Sequence, residues 1–110
     1  MQNFTLTRVD GSTLGLPVDW YVERYERDNG YDDEQFITFN VFQEGGSFWT
    51  ESGEPRPELA VELTIGGVRF GQPRGPEVSW PSTSDKRPEL ARALAAALQM
   101  AADEAEEVAS

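Results

Sequence analysis

The stretch Gln35-Phe36-Ile37-Thr38-Phe39-Asn40-Val41-Phe42-Gln43 decides the fold, because its side chains follow the period of a β-strand. Ile37, Phe39 and Val41 alternate with larger and polar side chains. Successive side chains of a strand point to opposite faces of a sheet, so these three share one face. The content of β-branched and aromatic residues also favours a strand. We therefore predict a strand over Gln35–Gln43 with Ile37, Phe39 and Val41 directed toward the core.

The segment before this stretch, residues 18–27, is ambiguous between a strand and a helix. As a strand it directs Val18, Trp20 and Val22 toward the core. The other face then carries Asp19, Tyr21, Glu23 and Tyr25. As a helix it gathers Val18, Tyr21, Val22 and Tyr25 on one side. The aromatic and β-branched content favours the strand, and the sequence leaves the helix open.

The two segments are joined by DNGYDDE, residues 28–34, which concentrates acids around an Asn-Gly step. An EF-hand calcium loop needs an acid at position 3, glycine at 6 and glutamate at 12. Counted from Asp28, these positions hold Gly30, Asp33 and Phe39, so the pattern fails. Three interpretations remain: a loose calcium site, a surface for a basic partner, or the turn of a hairpin. The turn is favoured because Asp and Asn accept positive φ and bond their own backbone.

Further apolar alternations predict short strands joined by turns. Asp10-Gly11 and Gly66-Gly67 are strong signals for two-residue hairpin loops. Several prolines make residues 73–85 an irregular loop. The strands predicted around these turns lie at Phe4–Val9, 12–16, 48–50, Leu59–Ile65 and 68–70.

The C-terminal part predicts one helix over about residues 86–107. Ser84 or Asp85 can cap it, and Pro88 suits its first turn. One apolar stripe follows at helical spacing, consisting of Leu90, Leu94, Ala97, Leu98, Ala101 and Ala105. The pattern as a whole predicts a single α+β domain over residues 1–110. In it, an antiparallel sheet of about five to seven strands, a meander of hairpins, packs against one C-terminal helix.

Charge is the strongest compositional signal. Twenty Asp and Glu face nine Lys and Arg, giving a net charge of −11 at pH 7. Such a surface repels nucleic acid and anionic membranes and attracts basic partners. A host or compartment that favours acidic proteins is the alternative explanation. The N-terminal sequence has no signal-peptide pattern, and no apolar run approaches about 18 residues, so we expect a cytoplasmic protein without membrane contact.

The residue types that most often carry catalysis and metal binding are missing. The chain has no histidine and no cysteine, which excludes a Ser–His pair, a thiol nucleophile and a zinc–thiolate site. No glycine motif for phosphate binding occurs. Paired carboxylates remain as the only plentiful catalytic groups, and a domain of this size offers little cleft for a sugar chain. We predict a protein that is not an enzyme, with no catalytic residues, cofactor or metal.

Two local conflicts ask for an explanation. If Trp20 and Val22 face the core, the other face of the predicted hairpin carries four aromatic residues, Tyr21, Tyr25, Phe36 and Phe42. Either the C-terminal helix covers this face as a second core layer, or the aromatics belong to a mixed aromatic and acidic recognition surface.

The second conflict lies at the helix C-terminus. Asp103, Glu104, Glu106 and Glu107 crowd the negative end of the helix macrodipole, where acids are unfavourable. Either the tail is frayed and solvated, or the acids are retained for a partner.

The combined pattern favours a small acidic inhibitor that binds the basic surface of a nucleic-acid-handling protein or a toxin. It would present carboxylates about 6.6 Å apart on alternate strand residues, in place of phosphates. Anti-CRISPR, anti-restriction and immunity proteins have comparable size and charge, with no motif in common. The alternative is a non-enzymatic structural or assembly subunit, for example of a phage particle, and a homodimer is compatible with either. The candidate partner-binding residues are Asp19, Tyr21, Glu23, Tyr25, Asp28, Asp32, Asp33, Glu34, Asp103, Glu104, Glu106 and Glu107.

Overall fold

Seven strands and one α-helix form within residues 4–28, 34–46, 53–73 and 75–109, which the computed structural model describes. The strands are β1 Phe4–Val9, β2 Trp20–Asp28, β3 Gln35–Gln43, β4 Leu59–Ile65, β5 Val68–Arg69, β6 Gln72–Pro73 and β7 Glu77–Ser79. The helix α1 spans Pro88–Ala109. The predictions for residues 48–50 and for the turn at residues 29–33 fall outside the described residues.

Five of the strands form one antiparallel sheet in the order β1-β2-β3-β4-β7. The strands of this sheet are therefore neighbours in the order in which they occur along the chain, and β5 and β6 form the separate excursion between β4 and β7. The central strand β3 pairs with β2 along its whole length, from Asp28 opposite Gln35 to Trp20 opposite Gln43. This hairpin settles the ambiguity in favour of a strand, which begins at Trp20. The prediction that Val18 faces the core is wrong, because Val18 lies in the turn before β2 and is 87% exposed. The prediction of an antiparallel meander with one C-terminal helix, an α+β fold, is confirmed.

One face of the sheet is covered by α1, and we call it the helix face. The alternating pattern of β2, β3 and β4 directs the buried apolar side chains to this side, while Arg24 and Glu26 of β2 lie at its edge. The helix contributes several small side chains, which allow its backbone to approach the sheet closely. The helix face consists of Trp20, Val22, Ile37, Phe39, Val41, Leu59, Val61 and Leu63, and α1 buries Leu90, Ala93, Ala97, Met100 and Ala101 against it.

The side of α1 that is buried against the sheet is rotated slightly about the helix axis from the apolar stripe predicted above. Met100 is buried in the core, whereas Leu94 and Leu98 are only partly buried at its margin. Small residues at the centre and leucines at the flanks let the helix lie close to the sheet. The helix begins at Pro88, as the proline in the first turn suggests.

The second predicted strand, residues 12–16, does not form. Asp10 instead accepts a hydrogen bond from the Ser12 backbone N–H at 3.0 Å, and the Gly11 carbonyl accepts from Leu14 and Leu16. These bonds close a short 3₁₀ helix, Ser12–Leu14. Leu14 and Leu16 pack against the core, so their alternation reflects burial in a loop and not a strand.

The chain also departs from prediction after β4. Gly66 and Gly67 have φ of 83° and 79°, and the chain leaves the sheet there. Residues 68–70 therefore do not pair with β4. β5 pairs with β6 in a separate small hairpin. The strand β7, within residues expected to be irregular, returns to β4 and pairs Val78 with Leu63.

Candidate protein-binding surface

The face of the sheet opposite α1 carries the aromatic residues of the predicted hairpin, and we call it the open face. Residues directly opposite each other in an antiparallel pair point to the same side, so the register assigns each side chain to a face. Among the described residues no helix or strand packs on it; α1 packs on the other side. The open face consists of Leu6, Arg8, Tyr21, Glu23, Tyr25, Arg27, Phe36, Thr38, Asn40, Phe42, Ala60, Glu62, Thr64, Glu77 and Ser79.

The interpretation that α1 covers these aromatics as a second core layer is therefore wrong. The helix stripe follows Trp20, Val22 and their neighbours on the helix face because those positions carry the aliphatic side chains. The strand period then leaves Tyr21 and Tyr25 on the opposite side.

Two of the aromatics form a packed pair at one end of the open face. The Tyr21 and Phe42 rings stack with their centroids 5.0 Å apart and their planes 15° apart. Phe42 is 5% exposed, so it supports the surface without presenting itself to a partner. Burial raises the pKa of the Tyr21 hydroxyl; Glu23 and Glu44 add to the rise and Arg8 opposes it. Tyr21 itself remains partly exposed beside the buried ring of Phe42.

Two arginines lie over aromatic rings of the open face. The Arg8 guanidinium carbon is 4.1 Å from the Tyr21 ring centroid, and the Arg27 carbon is 5.1 Å from that of Phe36. Arg8 also donates to Glu44 at 3.0 Å. These contacts attract the cations to the ring faces and orient them. The surface is consequently mixed in charge, and less acidic than the sequence suggested.

A groove adjoins the open face between β4 and β7. It has a volume of about 300 Å³ and is lined by Ala60, Glu62, Ser79, Trp80 and Pro81. Trp80 follows β7 directly and is 56% exposed. A large aromatic side chain beside an apolar groove is a typical anchor of a protein interface.

The acids predicted on the β2 side are not arranged as a continuous row. Asp19 lies in the turn before β2 with a positive φ of 71°, and Glu23 lies between Tyr21 and Tyr25 on the open face. The open-face side of β2 thus offers one carboxylate between two tyrosines. The predicted spacing of about 6.6 Å between successive carboxylates is therefore not realised along this strand.

The acids of the β2–β3 connection are only partly placed. Asp28 ends β2 and pairs through its backbone with Gln35, while Asp32 and Asp33 lie outside the described residues. Glu34 is half-buried and lies beside Gly67, where an added methyl group would come within 2.8 Å of its Oε2 atom. Glu34 therefore belongs to the packing between two loops. The loose calcium site remains an untested prediction, and the described residues contain no cluster of three or more potential metal ligands.

The acids of the C-terminal helix lie on the side of the sheet away from the open face. The helix α1 continues to Ala109 and so includes these residues. Asp103, Glu106 and Glu107 are exposed. Glu104 is half-buried and accepts a hydrogen bond from Arg24 Nε at 2.9 Å. Among the predicted acids that the structure describes, Glu23 on the open face and the acids of α1 therefore lie on opposite sides of the sheet.

Arg24 links α1 to the sheet at the edge of the helix face. It donates to Glu104 from Nε and to Glu26 from Nη1 at 2.8 Å, and Gln35 donates to Glu26 from its amide. Burial acts to lower the pKa of the Arg24 guanidinium, but the hydrogen bonds to Glu104 and Glu26 outweigh it and raise that pKa. Glu104 therefore has a structural partner, which the sequence interpretation missed.

A second concave region lies at the end of the sheet beside the loop that follows β1. Its volume is about 530 Å³, and its lining includes Arg8, Asp10, Leu16, Asp19, Trp20 and Tyr21. Its lining combines Arg8 and Tyr21 of the open face with Trp20 of the helix face, so it lies at the end of the sheet between the two faces. Of the predicted residues, Asp19 and Tyr21 line this region.

Sequence reasoning missed Arg8, Arg27 and Trp80 as parts of this surface. Arg8 and Arg27 occupy strand positions that face the same side as Tyr21 and Tyr25. The alternation of side chains that assigned the tyrosines to this face could therefore have assigned the arginines to it as well. Trp80 stands before Pro81 in a stretch assigned to a loop, and only the return of β7 to the sheet brings it to the open face.

Comparison with protein-family models, with curated proteins and with solved structures finds no significant match for this chain. No helix in the described ranges is long and apolar enough to cross a membrane.

Proposed function

We propose that this protein is a small acidic, non-enzymatic inhibitor that binds the basic surface of a nucleic-acid-handling protein or a toxin. One observation carries the proposal. Among the described residues α1 packs on one face of the sheet, while the other presents aromatic and charged side chains on a chain of net charge −11. We place the protein in the cytoplasm.

The contact surface in this proposal is the open face together with the Trp80 groove. Tyr21, Tyr25 and Trp80 supply rigid aromatic area, which is enriched at the energetic centres of protein interfaces. Leu6 on β1 is 58% exposed and adds apolar area at that edge of the open face. Glu23 and Glu62 on the same face provide carboxylates for arginine or lysine of the partner.

The C-terminal acids have a different part in this proposal. Asp103, Glu106 and Glu107 lie on the helix side and do not touch a partner seated on the open face. Their charge still contributes to the field of the whole molecule and accelerates encounter with a basic protein. Replacing them should lower the association rate and leave the dissociation rate unchanged.

In the narrower form of the proposal, the protein mimics nucleic acid and occupies the partner's nucleic-acid-binding surface. This form requires a regular row of carboxylates, and the open face of β2 contributes only Glu23 to such a row. The acids of residues 28–34 would have to supply the rest. The broader form, recognition of a basic protein surface by aromatics and scattered carboxylates, needs no such row. A structural or assembly subunit is the second candidate. It is favoured by the outer edge of β1, the side away from β2, with which no described strand pairs.

The proposal is tested by capture with tagged protein from a nuclease-treated lysate of the native host, washed across a salt series. Two matched pairs of bait variants locate the surface. Trp80→Ala removes an exposed side chain at the open face, and Val108→Ala removes one on α1. Glu23→Lys and Glu106→Lys make the same change of charge on the two sides.

We expect one basic protein to be captured by the wild type and released as the salt concentration rises. Trp80→Ala should weaken its binding about tenfold or more, whereas Val108→Ala should leave it unchanged. Glu23→Lys should weaken it more than Glu106→Lys. Equal effects of the two members of each pair, or capture that does not depend on salt, would contradict the proposed surface.

A further inference from the structure

The two edges of the five-stranded sheet differ in how they are protected. The edge strand β7 has only three residues, carries Glu77, and stands between Pro76 and Pro81. Short length, charge and flanking prolines are the usual devices that prevent a strand edge from pairing with another chain. This edge is therefore closed to further pairing.

The other edge, β1, is less protected, because it is six residues long and no proline stands beside it. Its sequence FTLTRV contains no proline, no glycine and no acid, and Arg8 is its only charged residue. All of its residues pair with β2, and no described strand pairs with its outer side. Leu6, Thr7 and Arg8 are exposed. An edge of this kind presents a row of backbone donors and acceptors ready for another strand.

We propose that β1 pairs antiparallel with β1 of a second copy of this chain, so that two sheets join into one across a two-fold axis. The axis stands perpendicular to the sheet, which keeps both open faces on the same side. A closed pair of this type uses the same edge of both chains and cannot extend into a fibre.

The sequence of β1 is compatible with itself in this arrangement. With the axis at Leu6, Leu6 falls opposite Leu6 of the second copy, Thr7 opposite Thr5, and Arg8 opposite Phe4. No two like charges stand opposite each other in this register. A register centred on Arg8 would bring two arginines together and is disfavoured.

Net charge favours this edge over the rest of the surface. Two chains of charge −11 repel each other, and contact is least unfavourable where acids are absent. The only charge of β1 is positive, and it is paired with Glu44 of its own chain. Since screening reduces the remaining repulsion, the dimer should become tighter as salt rises. Binding to a basic partner should become weaker, so the two associations have opposite salt dependence.

Sedimentation of the purified protein alone tests the proposal, independently of any partner. We expect a monomer–dimer equilibrium that shifts toward dimer with protein concentration and with salt. Leu6→Lys should weaken dimerisation about tenfold, because it sets two lysines opposite each other at the axis. The added lysine also reduces the net negative charge of each chain. A loss of dimerisation therefore cannot be due to stronger repulsion between two negatively charged chains. Ser79→Lys, the same charge type on exposed β7, is the matched control and should leave dimerisation intact.

A crosslink gives a second readout that does not depend on affinity. The chain has no cysteine, so Leu6→Cys introduces a single thiol. Opposite residues of an antiparallel pair have Cα atoms about 4.5–5.5 Å apart, within the range that a disulfide spans. Mild oxidation should convert Leu6→Cys, and not Ser79→Cys, into a covalent dimer. A monomer at every concentration and salt would overturn the proposal. So would a dimer unaffected by Leu6→Lys, or a foreign strand found on β1.

Discussion

The helix face and the open face are built by alternate residues of the same strands, yet they differ in what covers them. On the helix face Val22, Val41 and Val61 are fully buried beneath α1. On the open face their neighbours Tyr21 and Ala60 remain partly exposed. Among the described residues no polar or charged side chain is fully buried, and the hydrogen bonds of Arg24 lie at the edge of the helix face.

This difference separates two tasks. Burial of apolar area on the helix face supplies the main stabilisation of the domain, at about 25 cal/mol per Å². The open face contributes less to folding and is free to carry side chains chosen for recognition. Substitutions on one face should therefore change mainly stability, and substitutions on the other mainly binding.

The largest expected effect is on the helix face at Ile37. Ile37→Ala should lower the free energy of unfolding by about 2–5 kcal/mol, because it leaves a cavity beneath α1. The neighbouring Thr38→Ala, on the open face of the same strand, should change it by about 0.5 kcal/mol. Urea denaturation of both variants measures the difference. Similar losses at the two positions would mean that the open face is also covered in the folded protein.

A smaller effect is expected where α1 meets the edge of the helix face. Arg24→Met removes the hydrogen bonds to Glu104 and Glu26 and leaves the Glu104 carboxylate half-buried without its partner. Since the paired side chains are 22% and 24% exposed, solvent screens the interaction, and we expect a loss of about 1–2 kcal/mol.

The control for this prediction is the double variant Arg24→Met with Glu104→Gln. Removing the charge of residue 104 should recover part of the lost stability. Together with the single variant Glu104→Gln, the double variant completes the cycle that gives the coupling between the two groups. Additive losses in thermal unfolding experiments would show that Arg24 does not hold α1 through Glu104.

The smallest expected effect is a pH dependence that arises on the open face. Burial raises the pKa of Tyr21 in the folded protein above its value in the unfolded chain, about 10. The folded state then holds the phenol proton more tightly. The resulting stability is fully present below the unfolded pKa and is lost as pH rises through the folded pKa. Tyr21→Phe should therefore reduce the fall of Tm above about pH 10.

Tyr25→Phe provides the comparison, since Tyr25 is a neighbour on the same strand face. In the Tyr25→Phe variant, Tm should still fall above about pH 10, because Tyr21 is present. An unchanged alkaline profile in Tyr21→Phe would show that the folded state does not bind this proton more tightly.

The sequence predicted the elements whose side chains follow one period over their whole length. β1, β3, β4 and α1 belong to this group, because burial on one side imposes the period directly. The strand β7 was missed since only three residues pair and prolines flank them. Residues 12–16 were misassigned because Leu14 and Leu16 alternate like a strand while the Gly11 carbonyl organises a 3₁₀ turn.

The candidate surface was predictable to the extent that it depends on strand period. Tyr21, Glu23 and Tyr25 share a face as expected, since the register preserves the alternation of β2. The side of the sheet chosen by α1 could not be predicted, because both faces of the hairpin carry apolar residues. The pairing of Arg24 with Glu104 joins positions 80 residues apart, and no local pattern signals such a contact.

The position of α1 in the chain also bears on how the protein folds as it is synthesised. Neighbouring strands of the meander are close in sequence, so their hairpins can form early from local contacts. The helix that covers the apolar side leaves the ribosome after all of them. Until about Ala101 has emerged, the nascent sheet exposes the side chains that later form the core. The growing chain therefore passes through a stage at which it is most prone to aggregate and most dependent on chaperones.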